Sequence, residues 1–396
     1  MTHQAERSAL TPFQEFFRTE AATGALLVVS AVVALAAANS SWADAYHGLW
    51  TTPIAVGAGG HVLSLTLHQW INDGLMAVFF LLVGLEIKRE VRGGELASPR
   101  QAALPIAGAI GGMIVPAVIY LVVSGGGPEG RGWAIPMATD IAFALGILAL
   151  VAPRAPGGLK IFLAALAIVD DMGAVLVIAL FYTGRIEWSA LGLAGIVLSM
   201  LITLNIAGVR RLTPYLVLGL TLWFLVHASG VQATIAGVLL ALTIPGEQGA
   251  HERASEQATA PLLRLERALH GPSAFVVMPL FAFSNAGVTL GEASAGRVTL
   301  AVVLGLTVGK PLGISAAAWA AVRLRLATLP VRVSWSALVG CAWLGGIGFT
   351  MSLFIATLAF EGTSALDSAK VGILGGSVLA GVIGAVVIRR APRPTV

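Results

Sequence analysis

Apolar runs recur along the whole chain, many of about 18 residues or more, the length at which a helix crosses the hydrocarbon of a bilayer. Short polar links separate them. This pattern points to an all-α polytopic membrane protein. Charge agrees, because Asp, Glu, Lys and Arg make up only 11% of the 396 residues, against roughly 25% in a soluble domain. The same figures exclude disorder, a coiled coil and a secreted disulfide scaffold. The one cysteine, Cys341, lies in an apolar run and has no partner for an internal disulfide.

About twelve segments are read, with cores near 21–38, 72–87, 102–123, 133–151, 159–182, 189–209, 213–226, 230–244, 273–290, 298–320, 335–360 and 367–388. Joining the two segments that flank His227–Gly230 would instead give eleven. Basic residues mark the cytoplasmic side of a membrane protein. With the N-terminus inside, the inner tails and loops hold 19 Lys and Arg, and the outer loops hold 4, namely Arg131, Arg185, Arg297 and Lys370. That asymmetry supports twelve spans with both termini in the cytoplasm. The net charge of +4 does not indicate nucleic-acid binding, because the basic residues form short clusters between apolar runs.

The chain divides into residues 1–20, a cytoplasmic or interfacial segment; 21–390, a single transmembrane domain; and 391–396, a short tail. Phe13, Phe16 and Phe17 fall at helical spacing among polar residues, which suggests a short interfacial helix. No apolar stretch ending in a cleavage site precedes it, so no signal peptide is expected. In the first outer loop, Ile54 and Val56 precede Gly57-Ala58-Gly59-Gly60, and Leu63, Leu65 and Leu67 alternate with Ser64 and Thr66. A β-hairpin over 54–67 fits this alternation. An irregular loop fits the pattern equally.

Four charged residues fall near the middle of their spans: Asp140, Asp170, Asp171 and Lys310. Ionisable groups at that depth are costly and mark ion pathways or proton relays. Neighbours on a helix point about 100° apart, so one of the paired aspartates can line a cavity while the other reaches a neighbouring helix. Two carboxylates this close cannot both ionise cheaply in a low dielectric. They suit protons, and they also offer hard oxygens to a small alkali cation, which needs them deprotonated. Protons and cation would then compete for the same oxygens. The alternative is a buried network that only locks packing. Lys310 can neutralise one aspartate, either as a fixed counter-ion or as a participant.

Two spans carry signs of interruption. In GWAIPMATDIAFALG, Pro136 precedes Thr139 and Asp140, and in CAWLGGIGFTMSLF, Gly345, Gly346 and Gly348 lie mid-span. Proline removes a backbone donor, and broken helices leave dipole ends inside the membrane. Small residues for close helix packing are the alternative. Spans three to five and ten to twelve each centre on an interrupted helix, and the two triplets run in opposite senses. This is the layout of inverted-repeat transporters, among them the family named next.

The sequence resembles the NhaA family of bacterial sodium–proton antiporters. The resemblance rests on WINDGLMAVFFLLVGLEIKRE from Trp70, PMATDIAFALG from Pro136, AIVDDMGAV from Ala167, SGVQATIAGV from Ser229, PLFAFSNAGV from Pro279, GKPLGI from Gly309 and GGIGFTMSLFI from Gly345. It implies an electrogenic exchanger of the bacterial inner membrane that extrudes Na+ or Li+ and takes in H+, with no cofactor. It implies that Asp170 and Asp171 carry cation and protons, that Asp171 is the more direct ligand, and that Asp170 pairs with Lys310. Thr139, Asp140, Gly345 and Gly346 would support the site at the crossing. Glu86, Arg89, Glu90, Glu266 and His270 would form a pH-response cluster. The resemblance further implies core helices over about 102–182 and 298–388, interface helices over about 21–87 and 213–290, and a homodimer through the hairpin. In one place the chain departs from the family, with Gln232 where its best-studied members have His. A sodium-coupled symporter for an organic solute is the alternative, but few polar groups besides Thr139, Ser284, Asn285 and Thr350 lie near the midplane.

Overall fold

The computed structural model describes residues 12–58, 61–153, 155–246, 260–289 and 296–391. Residues 1–11, Gly59, Gly60 and the tail beyond 391 lie outside the described residues. Among those described, the chain is helical apart from one small sheet.

Helix α1 (Pro12–Ala38) is continuous, so the backbone of the expected interfacial segment runs straight into the first span. Asn39 ends it: its side-chain amide donates to the Leu35 and Val288 carbonyls, each at 2.8 Å. The chain then turns by 112° into α2 (Ala43–Thr51), a helix that the sequence pattern did not suggest. Tyr46 pins α2 down, because its hydroxyl donates to the Phe283 carbonyl at 2.6 Å and its ring meets that of Phe283 edge-on.

The hairpin is present. Strand β1 (Pro53–Ala58) pairs antiparallel with β2 (His61–Thr66), with Ile54 opposite Leu65 and Val56 opposite Leu63. It stops at Thr66 because that side chain caps the next helix, accepting from the Gln69 N–H at 3.2 Å, while Gln69 accepts from the Thr66 N–H. Leu67 is therefore the first residue of α3 (Leu67–Gly93) and not the last of the strand.

Among the described residues, six helices are long and apolar enough to cross a membrane: α3, α4 (Pro99–Ser124), α6 (Gly157–Phe181), α7 (Trp188–Ile206), α11 (Arg297–Arg323) and α14 (Ala365–Arg390). The number is nine if each bent helix pair counts as one span. On α7 only 17% of the apolar window is buried, and Leu193, Ile196 and Met200 face outward. Such a surface suits lipid, and the chain is a multi-pass membrane protein. Shorter helices are α8 (Leu212–Ala228), α9 (Ile235–Thr243) and the rod α10 (261–285). Gly230, at φ +78°, separates α8 from α9, so the two segments flanking it are distinct.

Both expected interruptions are present. The first pair is a 3-10 segment, Gly127–Met137, followed by α5 (Ile141–Val151) at 45°. The second is α12 (Trp335–Gly345) followed by α13 (Phe349–Phe360) at 42°. Helices α4 and α11 pack closely beside them. A Cβ on Gly309 would lie 2.6 Å from Pro116 Cα, so glycine is needed there for the backbones to meet. This contact seats the turn of α11 that carries Lys310.

Candidate functional site

The site forms where the two interrupted helices meet. Asp140 N–H donates to the Ile347 carbonyl at 2.7 Å, and Thr139 Oγ1 donates to the Gly345 carbonyl at 2.8 Å. The second bond satisfies an orphan carbonyl at the end of α12. Asp140 is also the N-cap of α5, its Oδ1 accepting from Phe143 N–H at 3.1 Å. Its Oδ2 accepts from Thr350 N–H at 3.1 Å and Thr350 Oγ1 at 2.5 Å, at the start of α13. One carboxylate thus faces two helix N-termini, the ends that favour negative charge. Gly346 must be small, because a Cβ there would crowd the Leu306 carbonyl, whereas a Cβ on Gly345 would meet only the terminal methyl of Ile314, at 2.9 Å.

Lys310 occupies the complementary position. Its Nζ donates to Asp170 Oδ2 at 2.5 Å and to the carbonyl of Met137, the last residue of the 3-10 segment. A cation at a helix C-terminus matches the sign of that dipole end. Lys310, Asp170, Asp171 and Asp140 are all 0–1% exposed.

Asp170 and Asp171 point to different places. Asp170 faces α11 through Lys310, whereas Asp171 lines a cavity of ≈100 Å³ together with Asp140, Glu86, His270 and Ser273. Among the described residues, Oδ1 of Asp170 and Oδ1 of Asp171 have no hydrogen-bond partner. A buried carboxylate oxygen left unpaired is destabilising and marks a place for a proton, a water or a cation.

The residues expected to form a pH-response cluster also come together, at the C-terminal end of α3 and the start of α10. Arg89 pairs with Glu90 at 3.0 Å and with Glu266. Glu86 and His270 line the cavity that leads to Asp171. Burial pushes the Glu266 carboxyl up from its ordinary value, Arg89 opposes this and Glu90 adds to it. Burial, with Arg89 beside it, pushes His270 down.

Sequence reasoning missed a second polar cluster on the far side of α3. Asp73 lies in a π-helical turn, Trp70–Leu75. Gln232 Nε2 donates to its Oδ1 at 3.2 Å, and His227 Nδ1 lies 3.8 Å from its Oδ2. Trp223 donates to its carbonyl at 2.9 Å and stacks on His227. Gln232 and His227 therefore share one carboxylate, a relation that their spacing alone did not reveal. Lys370 was also missed as a buried charge. Assigned to an outer loop from sequence, it lies within α14 and donates to the Gly287 carbonyl at 3.4 Å.

Interrupted apolar helices that meet with buried, opposed charges at their broken ends define a class, a transporter. Comparison with known proteins narrows this. Residues 14–388 match the family described as Na+/H+ antiporter 1. The chain is 53% identical over 388 residues to the Na+/H+ antiporter NhaA of Rhodospirillum rubrum, covering 96% of this chain and 97% of that one. It is 48% identical over 422 residues to that of Oleidesulfovibrio alaskensis, covering 96% and 94%. With that of Bordetella parapertussis it shares 49% over 385 residues, covering 96% of each. The chain belongs to the Na+/H+ antiporter family.

Proposed function

We propose that this protein is an electrogenic sodium (or lithium)–proton antiporter working by alternating access, with Asp170 and Asp171 as the cation and proton carriers. The observation that carries the mechanism is the Asp171 carboxyl, buried and with Oδ1 unpartnered, at the head of a cavity of ≈100 Å³. That volume suits a small cation and a few waters. It is below the roughly 300 Å³ or more of a small-molecule pocket, which disfavours the organic-solute symporter. A cation needs the carboxylates deprotonated, so its arrival expels protons and falling pH expels it. Two carboxylates releasing protons for one monovalent cation move net charge. Asp170 exchanges its partner between Lys310 and the cation, and Asp140 with Thr139, Gly345 and Gly346 holds the crossing.

The wider reading is a twelve-span protein in the bacterial inner membrane with both termini cytoplasmic. Helices α8, α9 and α10 supply the three spans beyond the nine counted by length. The core comprises about 102–182 and 298–388, two inverted repeats around the broken helices. The interface helices, about 21–87 and 213–290, carry the hairpin that joins two copies. Glu86, Arg89, Glu90, Glu266 and His270 set the pH response. This reading serves sodium and pH homeostasis.

Dye-reported ΔpH in everted vesicles, with Na+, Li+ or K+ added across a pH series, tests it. Na+ and Li+ should dissipate ΔpH at alkaline pH, and Asp171→Asn should reduce this to the background of vesicles lacking the protein. Full exchange by that variant would sink the mechanism.

A further inference from the structure

We propose that Ser273 is a positioning residue on the inward path, its hydroxyl replacing one water of the transported alkali cation between the cytoplasm and Asp171. The inference rests on the antiporter reading above. Ser273 is 2% exposed, and its Oγ is buried with no hydrogen-bond partner among the described residues. It lines the same ≈100 Å³ cavity as Asp171. A helical serine or threonine in a membrane ordinarily donates to the carbonyl four residues back. Ser199 does so to Gly195, and Thr357 to Leu353. Ser273 does not, which leaves its hydroxyl free for whatever enters the cavity. Thr23, another hydroxyl on the cavity wall, is already engaged.

The local backbone is also unusual. Ser273 opens a π turn, Ser273–Val277, in which the Met278 N–H reaches back to the Ser273 carbonyl. Such turns recur at functional sites. Here the turn sets the register at which α10 brings Ser273 to the wall of the cavity that Asp171 and His270 also line.

Hard cations take oxygen ligands, charged or neutral. Asp171 supplies charge, and a hydroxyl adds an oxygen without adding a titrating group. Ser273 therefore acts on cation affinity and leaves the competition with protons to the carboxylates.

The test uses the full-length protein in everted vesicles, where added Na+ meets the cytoplasmic face. Ser273→Ala should raise the apparent KM for Na+ roughly threefold to tenfold, the range of one net hydrogen bond. Maximal rate should stay within about twofold, and the pH profile at saturating Na+ should not move. Ser273→Thr should restore KM, while Ser273→Cys, of similar size but a weak donor and acceptor, should behave like alanine. An unchanged KM in Ser273→Ala, or a loss of maximal rate that threonine does not rescue, would overturn the proposal. Absence of Na+-driven ΔpH in the unsubstituted protein would overturn the antiporter reading instead, so the two failures are separable.

Discussion

At the helix crossing, Asp140, Asp170 and Lys310 are bound mainly to backbone ends and to one another, at 0–1% exposure. At the C-terminal end of α3 the opposite holds. Arg89 is 43% exposed, and Glu90 and Glu266 are its chief partners. Bulk water does not reach the first cluster to stand in for a lost partner. It reaches the Arg89 side chain of the second. Charge removal should therefore act as an all-or-none change at the crossing and as a graded one at the C-terminal end of α3.

The largest test of this contrast is Lys310→Met. It leaves Asp170 buried beside an empty place and exposes the Met137 carbonyl to no donor. Breaking a buried pair from one side costs about 3–5 kcal/mol, whereas replacing both partners with apolar or neutral groups is often close to neutral. Lys310→Met should lower the thermal midpoint of the detergent-solubilised protein strongly, and adding Asp170→Asn should recover most of the loss. Exchange should remain absent in the double variant. A thermal midpoint unchanged by Lys310→Met would place water at the crossing and erase the contrast.

Thr350→Val is of intermediate size. It removes the 2.5 Å hydroxyl bond to Asp140 Oδ2 and keeps the backbone N–H bond at 3.1 Å. Losing a hydrogen bond to a charged group costs about 1.5–3 kcal/mol. The expected result is a moderate fall in stability with residual exchange, measured by thermal unfolding and vesicle ΔpH. A fall as large as that of Lys310→Met would mean that Asp140 depends on the hydroxyl alone and not on the two helix ends.

The crossing was legible in the sequence because charge is scarce. Four ionisable residues in long apolar runs stand out, and Pro136 and the glycines at 345, 346 and 348 mark where backbone is left unpaired. What was not legible depends on partners far along the chain. Nothing near Asp73 indicates that Gln232 and His227 converge on it, 159 residues away in the first case. The π turns at Trp70–Leu75 and Ser273–Val277 shift a helix's register without changing its apolar pattern, so periodicity passes over them. Helix α2 lacks a long apolar face and is fixed by Tyr46 and Trp50 on Phe283, a tertiary contact. Lys370 sits at the start of α14, where sequence does not separate a buried terminus from a loop.

The smallest predicted effect belongs to Glu266→Gln, and its sign follows from the burial of Glu266. Burial raises its carboxyl, so it gains charge at a higher pH than an exposed glutamate. Below that point Arg89 retains Glu90 alone, and above it Arg89 holds both acids. Glutamine fixes the low-pH arrangement at every pH. If the paired state favours exchange, the alkaline activation midpoint should move up in pH in Glu266→Gln, with maximal rate kept. The shift should be below about one pH unit, because a half-exposed ion pair contributes roughly 0.2–1 kcal/mol and one unit corresponds to about 1.4 kcal/mol. His270 is pushed the other way, so it loses its proton at a lower pH than an exposed imidazole, and His270→Gln should change the acid foot of the profile while the alkaline midpoint stays in place. The pH dependence of ΔpH dissipation in everted vesicles measures both. A collapse of maximal rate in Glu266→Gln would put Glu266 in the exchange machinery and remove the difference between the two clusters.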